Sequence, residues 1–397
     1  MLRLRGVLVV LLLIALCALA YVRHRTDPLV LANKLGRDGR GTLTIISPVH
    51  RIDRIYPSMH GPSSVHGNLR LAADARDQIL FVTGIESKIV GRDGRSPVSR
   101  EFFCHSNFVV TPVDDDDSAN ALPRTSSSDA RLFTLIPGRL DVALPAGFGI
   151  PIRADEPLSH YTMALNLNHH GPPIDVRVRT TVTYADPAKA PLKPLFRRAV
   201  YAYERLATTP TTAPSAAASS AWSSRTSSGL PDMMCMGGDA GATCGPAAAA
   251  PKAGAGGAGA AKSASSGFVA SVGKTNTVHW LIAPGQYQSR VSVTDQLDLP
   301  YDTTAHYVTG HLHPHAKSLT LVDKTSGQEV FVIRSKDFSD RIGVSEMEQW
   351  TSHDGVLLEK SHEYELVTTY ENPTDKPIDA MSILYVYALD RRFANSP

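Results

Sequence analysis

From Leu206 to Gly267 the chain offers almost nothing from which a core can be built. Ala, Ser, Thr, Gly and Pro fill runs such as TTPTTAPSAAASSAW and PAAAAPKAGAGGAGAAKSASSG, a composition that cannot bury enough apolar surface to offset the entropy of ordering. This stretch therefore reads as a linker, and whatever folds must fold on either side of it. Both flanks read alike. The first holds GTLTIISPV, QILFVTGIESKIV, EFFCHSNFVV, YTMALNLNHH and VRVRTTVTY. The second holds RVSVTDQLDL, AHYVTGHLHPH, KSLTLVD, EVFVI, EYELVTTYEN and MSILYVYALD. These runs are β-branched or alternate apolar with polar, and Gly, Pro and Asp interrupt them. Few windows carry a 3.6-residue period; AVYAYERLA, just before the linker, is the best short-helix candidate. The expected fold is all-β, two jelly-roll-type β-sandwich domains joined by a low-complexity linker. The first sandwich should span 28–205, the linker 206–267 and the second sandwich 268–397.

The N-terminus has a separate logic. Arg3 and Arg5 precede an uncharged run from Gly6 to Val22, and Arg23 and Arg25 follow it. A basic and then apolar segment at residues 1–25 is the pattern of an export signal, with Ala18-Leu19-Ala20 as a small-residue cleavage site. The basic cluster behind it also suits a retained membrane anchor through residues 6–22. The expected location is extracytoplasmic, periplasmic or secreted. With a net charge of +2 over 397 residues, and no Lys/Arg cluster interleaved with aromatics, nothing points to nucleic acid. Of the four cysteines Cys17 falls in the signal segment. Cys104, Cys235 and Cys244 remain, too few for a disulfide framework.

The sharpest chemical pattern is Gly310-His311-Leu312-His313-Pro314-His315. On a strand, residues two apart face the same way, so His311, His313 and His315 should project together and His311 with His313 can hold one metal ion. Met381 opens the β-prone run MSILYVYALD. Two imidazoles and one thioether suit copper that passes between Cu(II) and Cu(I). The first domain offers Cys104-His105 and His169-His170, with His60 as a further ligand candidate. Met233-Met234-Cys235-Met236, inside the linker, is a second soft-ligand cluster. Asp114 to Asp117 read as a solvated acidic loop, and His279, His306 and His362 as ordinary strand residues.

These residues resemble the copper type II, ascorbate-dependent monooxygenases, the superfamily of peptidylglycine α-hydroxylating monooxygenase. The match lies in His-Leu-His at 311–313 and MSILYVY at 381–387, and more loosely in Cys104-His105 and His169-His170-Gly171. HLHPHAKSLTLVD and DAMSILYVYALD also resemble uncharacterised bacterial and plant stress-induced nodulin-like members. The resemblance implies two jelly-roll domains and two copper ions. One copper would sit on His311, His313 and Met381, react with dioxygen and hydroxylate a C–H bond. The other would sit on His105 and His169, with Cys104 where the family has histidine, and relay electrons from ascorbate or another external reductant. Tyr385, four residues after Met381, would contact a small-molecule or peptide substrate. Thr309 stands where the family has an arginine that grips a peptide carboxylate, and Ile383 replaces a polar residue, so peptidylglycine is not the expected substrate. The competing reading is a non-catalytic copper protein for binding, storage or delivery.

Overall fold

The computed structural model describes residues 30–72, 78–110, 131–205 and 276–394. Residues 1–25, read above as a signal or anchor, Asp114–Asp117, and 206–267 with its Met233–Met236 run lie outside them. Among the described residues no helix is long and apolar enough to cross a membrane.

Strands dominate, as the alternating runs require. One 11-stranded sheet forms the backbone of the molecule. It begins with β1 (Val30–Leu35), β2 (Arg40–Ile46), β11 (Ile174–Ala185), β5 (Ile79–Gly91) and β9 (Phe148–Arg153). It continues through β12 (Lys193–Tyr201), β24 (Ser382–Leu389), β17 (Thr303–Leu312) and β21 (Gln349–Leu358). The short strands β3 (His50–Ile52) and β8 (Asp141–Ala143) pair with β11 and β5. A four-stranded sheet faces the first part, in the order β4 (Ser63–Leu69), β10 (Leu158–Ala164), β6 (Phe103–Val110) and β7 (Arg131–Leu135). A five-stranded sheet faces the second: β16 (Gly285–Ser292), β22 (Tyr364–Asn372), β18 (Ala316–Asp323), β19 (Gln328–Asp337) and β20 (Val344–Met347). Two ribbons, β13 (Glu204–Arg205) with β14 (Asn276–Thr277) and β15 (Trp280–Ile282) with β23 (Ile378–Ala380), complete the pairing. The fold is two β-sandwiches that share one continuous sheet.

The join between the halves lies at β12. It meets β9 in parallel over only Lys193↔Phe148 and Pro194↔Gly149, but runs antiparallel to β24 from Leu195↔Leu389 to Tyr201↔Ile383. A strand within 28–205 is thus hydrogen-bonded mainly to the C-terminal half. This also corrects the helix expected at AVYAYERLA: Ala199, Val200 and Tyr201 are β-strand. Val200 is fully buried, Tyr201 nearly so, and β24 offers a complete ladder, so sheet pairing overrides a weak local preference.

The two halves also pack face to face. Strand β7 lies against β24: Tyr387 Oη donates to the Leu132 carbonyl at 3.2 Å, and the Phe133 and Tyr387 rings stack 5.8 Å apart. Arg197 on β12 places its guanidinium 4.5 Å above the Tyr385 ring and donates to Thr134 Oγ1 at 3.2 Å. This packing carries β6, next to β7, up to the end of β17.

Candidate metal centre

Strand β17 ends in Gly310-His311-Leu312 because Pro314 cannot continue the ladder. Its neighbour β24 is in the register His311↔Ile383 and Leu312↔Ser382. One residue further, the His313 amide donates to the Met381 carbonyl at 3.4 Å. This bond brings the Met381 backbone opposite that of His313 just past the end of the ladder. Tyr370, on β22, pins the pair. Its hydroxyl donates to the Met381 carbonyl at 2.7 Å and accepts from the His313 amide at 3.2 Å and the Met381 amide at 3.4 Å. His311 and Met381 are fully buried and His313 is 7% exposed. The His311 and His313 ring centroids lie 5.5 Å apart.

Two residues that the sequence reading left as ordinary or did not single out belong here. Asp379 brings Oδ2 to 2.9 Å from His313 Nδ1, and His279 Nδ1 lies 3.4 Å from Asp379 Oδ1. His279, His313 and Asp379 each offer a ligand atom within 4.8 Å of the others. Burial works to raise the Asp379 carboxyl, but the His313 and His279 rings outweigh it and hold it well below the usual carboxylate range. The contact at 2.9 Å is an ion-pair approach rather than an aligned hydrogen bond, and Oδ2 has no aligned donor among the described residues. The available signal was Asp379 two residues before Met381, and β15 pairs with β23 through Trp280↔Ala380, which brings His279 alongside.

His105 arrives from the other half. Its Nε2 lies 3.4 Å from His311 Nδ1, with ring centroids 4.9 Å apart. Its Nδ1 is 2.9 Å from Cys104 Sγ. Burial, with His313 nearby, pushes the His105 imidazole down to about 3, and burial likewise pushes His311 well below its ordinary value. Both rings are neutral at ordinary pH, the form that binds metal. Burial raises the Cys104 thiol, so without a metal it stands as a neutral thiol behind His105.

The remaining sequence candidates are placed elsewhere. His169 Nε2 bonds the Pro172 carbonyl at 3.1 Å and its ring stands edge-on to Phe102. His105 instead turns its Nε2 towards His311 and its Nδ1 towards Cys104. His60 is exposed, with Nδ1 2.8 Å from the Ser58 carbonyl. Tyr385 is buried under Arg197, and its hydroxyl has no partner among the described residues. His315 does not share the face of His311 and His313: after Pro314 it turns to φ +72°, and its Nδ1 lies 3.4 Å from Asp337. The strand alternation that would have aligned it stops at Leu312.

No family model matches the sequence, and no curated protein matches it. Similar solved structures include the major capsid protein P2 of bacteriophage PM2, at 8% identity and a TM-score of 0.28, covering 88% of this chain and 99% of that one. They also include PNGase F, a glycosylasparaginase from Flavobacterium meningosepticum, at 10% identity and a TM-score of 0.34, covering 88% and 96%. At these scores the likeness bears on neither activity nor relationship.

Proposed function

We propose that this chain is an exported copper-binding protein whose centre is built on His311, His313 and Met381. The observation that carries this is the backbone bond that brings Met381, far off in sequence, opposite His313 at the end of β17. The donor set fits the ion. Burial keeps His311 neutral, a thioether favours the soft Cu(I) state, and a carboxylate backs His313. With the Asp379 carboxylate 2.9 Å from Nδ1, His313 has Nε2 left for a metal, and the carboxylate charge favours a cation there. Tyr370 holds the backbone of both His313 and Met381, so ligand spacing is set by the fold rather than by the ion. When bound, copper would supply one-electron chemistry towards dioxygen.

That chemistry supports the monooxygenase reading, in which an external reductant such as ascorbate supplies electrons and a C–H bond is hydroxylated. The burial of His311, Met381 and Tyr385 favours the second reading, a copper protein without turnover, because little of the centre is open to a substrate. Metal analysis of the purified full chain tests the first claim: copper retained by wild type and lost by His313→Ala is expected, and no copper in wild type refutes it. Oxygen uptake by the loaded protein with ascorbate then separates the readings. Uptake above free copper supports the oxygenase, and none supports the binding protein.

A further inference from the structure

The resemblance implies two coppers, one per sandwich, with His105 and His311 belonging to different ions. The geometry points to one: we propose that His105 and His311 are ligands of a single metal ion shared by the two sandwiches, so that the ion clamps the two halves together. The inference rests on the copper reading of His311 and extends it to a ligand from the N-terminal half.

His105 Nε2 and His311 Nδ1 face each other at 3.4 Å in full burial. That is long for a hydrogen bond. An ion bound to imidazole nitrogens at about 2.0–2.1 Å, with a tetrahedral angle between them, sets those nitrogens roughly 3.3–3.4 Å apart. The tautomers are compatible. When His105 Nδ1 carries its proton towards Cys104 Sγ, Nε2 is left with a free lone pair. Cys104 is then a positioning residue that fixes the tautomer, as outer-shell partners of metal-bound histidine commonly do. The charge of Arg131 reaches His105 and opposes a cation, while the Asp379 carboxylate, on the far side against His313, acts the other way. The rigid setting comes from β7 packed on β24 and Arg197 packed on Tyr385, which fix β6 against the end of β17 without the ion.

The test is copper stoichiometry and ligand count on the full chain. Cu(I) is titrated anaerobically against a chromophoric chelator for wild type, His105→Ala, His311→Ala and the double variant, with apo-protein melting curves as the folding control. The expected result is one tight copper per chain, weakened at least tenfold by His105→Ala and by His311→Ala, with the double variant weaker than either. X-ray absorption on loaded wild type needs no variant, so it decides the matter if His105→Ala does not fold. Three imidazoles and one sulfur are expected, and two imidazoles overturn the shared centre. Two coppers, one lost with each single variant, or wild-type affinity in His105→Ala, also overturn it while leaving copper at His311 intact. No copper in wild type overturns the underlying reading as well.

Discussion

The Nδ1 of His313 lies 2.9 Å from Oδ2 of Asp379, which sets a carboxylate charge, two residues before Met381, against the His-x-His segment. Outer-shell carboxylates of this kind fix ring orientation and raise ligand basicity. Asp379→Asn keeps the shape and removes the charge. Copper affinity should fall by about 10–100-fold, while far-UV circular dichroism stays that of wild type. Competition against a calibrated chelator measures it, and unchanged affinity would remove Asp379 from the centre.

Met381 and His315 give opposite expectations. Met381→Ile nearly conserves volume at a fully buried position, so it should cost less than about 1.5 kcal/mol of stability. It should weaken Cu(I) more than Cu(II) and leave a larger oxidised fraction, read by electron paramagnetic resonance. His315 lies past the end of β17 beside Asp337, so His315→Ala should retain the full copper content. Equal copper loss from His313→Ala and His315→Ala, with Met381→Ile like wild type, would indicate a simple histidine-rich chelate instead.

A second group of histidines adds to the acid sensitivity that buried His105 and His311 carry. His160 Nε2 meets Ser106 Oγ at 2.9 Å and Thr180 Oγ1 at 3.1 Å between the sheets, and His50 Nε2 meets Thr162 Oγ1 at 3.0 Å. Burial, helped by neighbouring His66, lowers His160 from 6.5 to about 3 and His50 from 6.5 to about 4. Below pH 6.5 the unfolded chain takes up protons that the folded chain refuses. Stability is therefore complete above that value and is lost as pH falls from 6.5 towards 4. At pH 5 the two groups together should cost up to about 4 kcal/mol. Urea unfolding of metal-free protein at pH 7.5 and 5 measures this. His160→Gln should shallow the slope, and an unchanged slope would show that His160 does not contribute.

The pairing of β12 with β24 predicts how the chain behaves when cut. A specific protease site engineered between 206 and 267 should give two fragments that co-elute in native size exclusion. The antiparallel ladder from Leu195 to Tyr201 and the Tyr387–Leu132 hydrogen bond would hold them together. Fragments that separate without denaturant would mean that the two sandwiches do not depend on their shared sheet.

The strands and their chemistry are legible in the residue order alone. Period-2 runs such as VRVRTTVTY and SLTLVD can bury one face only as strands, and they are strands in β11 and β18. The turn forced by Pro314 was written in the same letters, yet alternation alone extended the face to His315. Which strands would meet was decided only in three dimensions. AVYAY became β12 because β24 offered it a ladder. His279 looked like a plain strand residue until β15 paired with β23 beside Asp379. His105 and His311, 206 positions apart, face each other because β7 packs on β24. Side-chain alternation is a local property of the backbone and can be read residue by residue. The partner of a strand face is chosen by long-range burial, which no short window of sequence contains.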